Sequence, residues 1–115
     1  NDRAEAAAVR ELFDPGTLVT SNKGALGHSG GAAGAVEAVC AVLSLVRGEV
    51  PPTSGVAEVD PDLGIDVVVG SPRPWEPAPL VSTSLGLGGH ISALVMGPAD
   101  PAGGASDTAA ASRRG

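Results

Sequence analysis

From Gly31 to Val46 only Glu37 and Ser44 carry polar side chains. The run is long enough for a helix and too uniformly apolar for a surface one, which predicts a buried helix. Gly48 stands where a C′ glycine would stop it, and Pro51-Pro52 cannot continue it. Ala, Gly and Val dominate the chain, and Phe13 and Trp75 are its only aromatic residues. Side chains this small suit close packing of a helix on a sheet, so the run predicts an α/β layered architecture.

The residues leading into the helix carry chemistry. Thr17 to Ser21 reads as a short β-branched strand that leads to Lys23. A glycine-rich loop then holds His28, just before the helix begins at Gly30 or Gly31. Unpaired backbone N–H groups at a helix start carry partial positive charge, a setting in which a neutral imidazole can polarise a carbonyl. Gly24, Gly27, Gly30, Gly31 and Gly34 let the backbone approach a ligand or a neighbouring element. On these residues alone two readings stand. One is a candidate site, and the other is a glycine-rich connection with one loop histidine.

The remaining segments read in order. Arg3 to Phe13 predicts an amphipathic helix with Asp2 as N-cap, ended by Asp14-Pro15-Gly16. Glu49 to Leu63 predicts a loop, Ile65 to Gly70 a short strand, and Ser71 to Pro79, with four prolines, an irregular surface loop. Leu80 to Leu85 and Ile91 to Met96 predict a hairpin whose connection is Gly86-Leu87-Gly88-Gly89-His90. Successive N–H groups there would make an anion-binding concavity. Pro98 to Gly115, poor in apolar residues, predicts a disordered Ala/Gly/Ser/Pro tail.

Charge and length bound the function. At 115 residues the chain is one domain at most. A net charge of −6 with no Lys/Arg cluster argues against nucleic acid. The single cysteine, Cys40, excludes an internal disulfide and points to a cytoplasmic setting. Its place inside the apolar run reads as a small buried thiol. Asn1 opens the chain, and no signal peptide is visible. The apolar run falls short of the roughly 20 residues that span a bilayer, so no membrane is expected.

Lys23, Gly27-His28, Ala32-Ala33-Gly34, Pro51-Pro52-Thr53 and Gly86-x-Gly88-Gly89-His90 occur together in this order. In that combination Asn1 to Gly97 resembles the C-terminal part of the β-ketoacyl-[acyl carrier protein] synthases. These are thiolase-like condensing enzymes of fatty-acid and polyketide synthesis. The resemblance implies a thiolase-like layered fold, C-terminal portion only, with the glycine-rich helix buried on a mixed sheet. It also implies that residues 1–97 form the domain portion and 98–115 the tail.

The implied reaction is an acyl transfer. A cysteine holds the acyl chain, a malonyl thioester loses carbon dioxide, and the resulting carbanion attacks. His28 would hydrogen-bond the malonyl thioester carbonyl as the enolate develops. Lys23 would orient and charge-tune a second histidine, carried by a His-Gly-Thr-x-Thr motif that does not occur here. Cys40 does not match the nucleophile, so this chain alone is expected to be inactive. Leu85, Leu87, Gly88 and Gly89 match a loop bordering the acyl pocket, where the family has phenylalanines at the positions of both leucines. His90 falls at a variable position and reads as structural. No metal or cofactor is implied, because the substrates ride on the phosphopantetheine of an acyl carrier protein. That carrier and the rest of a synthase, or a homo- or heterodimer partner, are the expected partners. The competing readings are a non-catalytic, chain-length-factor-type partner of an active synthase, and a small binding module.

Overall fold

The computed structural model describes residues 1–99, so nearly all of the expected tail lies outside the described residues. The elements run α1 (Asp2–Leu12), β1 (Leu18–Val19), α2 (Lys23–Leu26), α3 (Ala33–Arg47), β2 (Glu49–Val50), β3 (Asp66–Val67), β4 (Arg73–Pro74), β5 (Leu80–Leu85) and β6 (Ile91–Met96). Single 3-10 turns cover Gly30–Ala32 and Pro61–Leu63.

Local chemistry explains most of the boundaries. Helix α1 starts one residue earlier than the sequence suggests. Asn1, not Asp2, occupies the cap position, and the Asn1 carbonyl accepts from the Ala4 and Glu5 amides. Asp2 therefore sits in the first turn, where a carboxylate suits the positive end of the helix. The α3 terminus follows the expected rule: Gly48 adopts φ +67°, and its N–H donates to the Ser44 carbonyl at 2.9 Å. Lys23 was expected at the end of a strand but begins the one-turn helix α2. The Gly27 amide closes that turn on the Lys23 carbonyl at 2.8 Å.

Among the described residues the strands form three separate two-stranded sheets rather than one mixed sheet. Parallel β1 and β3 pair Leu18 with Asp66 and Val19 with Val67. Antiparallel β2 and β4 pair Glu49 with Pro74 and Val50 with Arg73, inside two segments the sequence suggested were loops. The β5–β6 hairpin runs from Leu80–Met96 to Leu85–Ile91, with both strands bounded as expected. Proline-rich chain ties these pieces together. The Thr20 hydroxyl donates to the Pro51 carbonyl at 2.6 Å, the Ser21 amide donates to the Thr53 hydroxyl at 3.0 Å, and the Thr53 amide donates to the Val68 carbonyl at 2.8 Å.

Burial overturns the central expectation about α3. The helix exists, but among the described residues only Ala6, Val50 and Val68 are buried apolar side chains. Val39, Val42, Leu43 and Val46 lie on one side of α3 and are exposed, Val46 to 78%. Helix α3 packs on β5, and its less exposed side includes Glu37, which meets Lys23 of α2, and the buried Ser44. A helix that is apolar all round needs cover on all sides, and one hairpin covers a single stripe. Cys40, expected to be buried, is half-buried for the same reason. With the leading 3-10 turn the helical stretch reaches 18 residues, Gly30–Arg47, at a mean hydropathy of 1.4. By length and composition it could therefore cross a membrane, contrary to the expectation that it is too short. The core helices of globular proteins meet the same criterion.

Candidate active site

Lys23 and His28 stand on the short connection between β1 and α3, so the fold brings them to the N-terminal end of that helix. The Lys23 ammonium donates to the Glu37 carboxylate on the second turn of α3. Glu37 is the less accessible partner, with its side chain 15% exposed against 43% for Lys23. Asn22, Lys23, Leu26, Ala33, Val36 and Glu37 line a shallow depression around this pair. In the sequence Glu37 shows only as an interruption of the apolar run. The signal was present, because a lone carboxylate in an apolar helix demands a cation or a hydrogen-bond donor.

His28 is exposed and follows Gly27, whose φ of +79° turns the chain out of α2. The Gly30 amide donates to His28 Nδ1 at 3.3 Å. With Nδ1 accepting, a neutral imidazole carries its proton on Nε2, and that N–H is the donor left free for a ligand. The side chain arises from the loop, so Nε2 is not consumed by a partner among the described residues.

The hairpin loop is separate from this pair. No hydrogen bond among the described residues joins His28 or Lys23 to Leu85, Leu87, Gly88 or Gly89. Leu87 is fully exposed at the loop tip, and Leu85 is 49% exposed. Gly88 and Gly89 take φ values of +85° and +84°, conformations that favour glycine. The Gly86 amide donates to the His90 carbonyl at 2.7 Å and so adds nothing to an anion-binding concavity. The His90 side chain folds back over Gly86 and Gly88. A wider open groove lies elsewhere, between the end of α1 and the Val59–Asp66 segment, and contains none of these residues.

Comparison with known proteins accounts for the pattern. Residues 1–57 match the family described as beta-ketoacyl synthase, C-terminal domain. The chain is 44% identical over 97 residues to 3-oxoacyl-[acyl-carrier-protein] synthase 2 of Mycobacterium leprae, covering 84% of this chain and 23% of that protein. It is 34% identical over 102 residues to the chloroplastic 3-oxoacyl-[acyl-carrier-protein] synthase I of Hordeum vulgare, covering 87% of this chain and 22% of that protein. It is 42% identical over 98 residues to the ketoacyl synthase beta subunit of the tetracenomycin polyketide synthase of Streptomyces glaucescens, covering 83% and 24%. The chain thus spans about a quarter of the length of the curated relatives it matches. With Lys23 and His28 inside the matched region, the chain belongs to the β-ketoacyl synthase family, to whose C-terminal domain residues 1–57 correspond.

Proposed function

We propose that residues 1–97 work as the C-terminal portion of a β-ketoacyl-[acyl carrier protein] synthase. The reaction is the decarboxylative Claisen condensation of fatty-acid or polyketide synthesis. The C–C bond to the malonyl carboxylate breaks, carbon dioxide leaves, and its electron pair forms the thioester enolate. The enolate carbon attacks the acyl thioester on the enzyme's cysteine and expels the thiolate. The cysteine and a second histidine belong to the rest of such a synthase, which also completes a thiolase-like layering over the exposed side of α3. The substrates arrive on the phosphopantetheine arms of acyl carrier protein in the cytoplasm, and the reaction needs no metal or further cofactor.

The observation that carries this reading is the His28 geometry. Gly30 occupies Nδ1, so Nε2–H is presented as a hydrogen-bond donor to the malonyl thioester oxygen as it becomes an enolate. Lys23 is held by Glu37 and is no free nucleophile. Leu85, Leu87, Gly88 and Gly89 border the acyl chain, with leucine making a softer and roomier gate than phenylalanine. That altered gate, and the identity to a polyketide ketoacyl synthase beta subunit, favour one second reading: a non-catalytic partner of an active synthase. Retention of both Lys23 and His28 favours the enzyme.

The test is His28→Ala in a full-length synthase carrying this domain, with the two half-reactions assayed separately. Acyl transfer onto the enzyme should survive, and malonyl decarboxylation should fall by roughly 100- to 1000-fold, the loss of one preorganised donor. Decarboxylation at the normal rate would remove His28 from the mechanism.

A further inference from the structure

The two candidate segments, the His28 loop and the Leu85–Gly89 loop, share no hydrogen bond, yet the condensing reaction requires them at a fixed separation. One contact is placed to set it. Gly34 lies in the first turn of α3, and Ser84 directly precedes Leu85 on β5. A Cβ built on Gly34 would stand 3.1 Å from the Ser84 hydroxyl oxygen. Among the described residues, and beyond the helix's own backbone, that oxygen is the one atom such a Cβ would meet within 4 Å. Ser84 is half-buried and Leu85 beside it is exposed, so β5 turns the serine toward the helix and the leucine away. Gly34 adopts no positive φ, so backbone conformation does not require glycine there. What favours it is the close approach of the helix to the Ser84 hydroxyl.

We propose that Gly34 and Ser84 form the seat at which α3 meets β5, and that this seat fixes the His28 loop relative to the acyl-gate loop. Gly34 is then a positioning residue for condensation, acting through the backbone on both sides. The inference rests on the condensing reading above. It predicts a specific coupling, because an added methyl group at residue 34 meets a single atom. Removing that atom as Ser84→Ala must relieve the crowding. A helix residue that mattered only for intrinsic helix formation would show no such dependence on residue 84.

The experiment is a double-mutant cycle in a full-length synthase containing this domain, with Gly34→Ala, Ser84→Ala and the double variant. In the native background Gly34→Ala should lower condensation about tenfold, the scale of a mild overpacking error. Acyl loading of the nucleophile should change by less than about threefold, because that step does not use His28. In the Ser84→Ala background the same Gly34→Ala change should cost less than about twofold. An equal cost in both backgrounds, or none in the native one, overturns the proposal. If Gly34→Ala prevents folding, recovery of folded protein in the double variant supports the seat, and failure to recover it overturns the seat. Failure of the condensing reading looks different: the native synthase makes no β-ketoacyl product, while the Gly34–Ser84 coupling still appears in the thermal melting of the four proteins.

Discussion

Glu37 sits on the inward side of α3, where its carboxylate meets the Lys23 ammonium. Lys23 is 43% exposed, so the pair is worth at most about 1 kcal/mol to stability. Its value lies in placement. A lysine on a one-turn helix has a long, flexible stem, and the carboxylate removes that freedom at the site. Glu37→Gln keeps the shape and deletes the charge. In a full-length synthase it should leave the melting temperature nearly unchanged, lower malonyl decarboxylation by about tenfold and leave acyl loading intact. Equal loss in both half-reactions would make the pair a folding feature only. Gly48 supplies the contrasting case of a residue that matters for shape alone. At φ +67°, a non-glycine residue costs about 1–2 kcal/mol. An added Cβ there would also stand 3.3 Å from the Trp75 carbonyl oxygen. The Trp75 amide donates to the Gly48 carbonyl at 2.8 Å, so Gly48→Ala should loosen the β2–β4 bridge. Hydrogen exchange at the Trp75 amide, accelerated about tenfold or more, is the readout.

Helix α3 has its polarity inside out for a chain taken alone. Glu37 meets Lys23 of α2 and Ser44 is buried, while Val39, Val42, Leu43 and Val46 are exposed on the other side. The hairpin repeats the pattern. Val81, Leu85, Ile91 and Val95 share the β5–β6 face opposite the helix and are exposed. Both surfaces fit a position between layers supplied by the rest of a synthase. Val39→Lys separates the two situations. In the 115-residue chain it should leave far-UV helicity unchanged and improve solubility, since Val39 is 60% exposed and lysine is a good helix former. In a full-length synthase it should cost about 3 kcal/mol or more, as an unpaired charge forced into an interior. An equal effect in both proteins would mean that the valine face is never covered. The sequence revealed these elements unevenly, for physical reasons. The β5 and β6 boundaries were legible because alternating side chains and a glycine-rich connection are local signals. The α3 terminus was legible because only glycine suits its end. Lys23 was misplaced because one helical turn, Lys-Gly-Ala-Leu, is too short to show a period. The β2–β4 bridge was missed because two-residue pairings are fixed by distant chain. Burial was misjudged because apolar composition records that a helix will be covered, and not by which chain. At the candidate site, His28 and Lys23 stand out in the sequence through the motif that carries the resemblance, whereas Glu37 needed the geometry of its partner.

At the scale of the whole molecule, three buried apolar side chains among the described residues do not make a core. Buried apolar side chains must offset the entropy lost in ordering the backbone, and few here are fully removed from water. The three two-stranded sheets also leave strand edges unpaired, and each edge is a template for association with another chain. The purified 115-residue chain should therefore bind 1-anilinonaphthalene-8-sulfonate strongly, melt without a sharp cooperative transition and associate as its concentration rises. It should show no turnover of acyl and malonyl carrier thioesters. Adding the remaining portion of a synthase as a separate chain should abolish the dye binding and produce one cooperative melt, because the α3 and hairpin faces then acquire their cover. A monomeric chain that melts cooperatively and excludes the dye would show that these faces are stable in water and need no cover. Steady turnover by the chain alone would refute the division of catalytic residues between this domain and the rest of the enzyme.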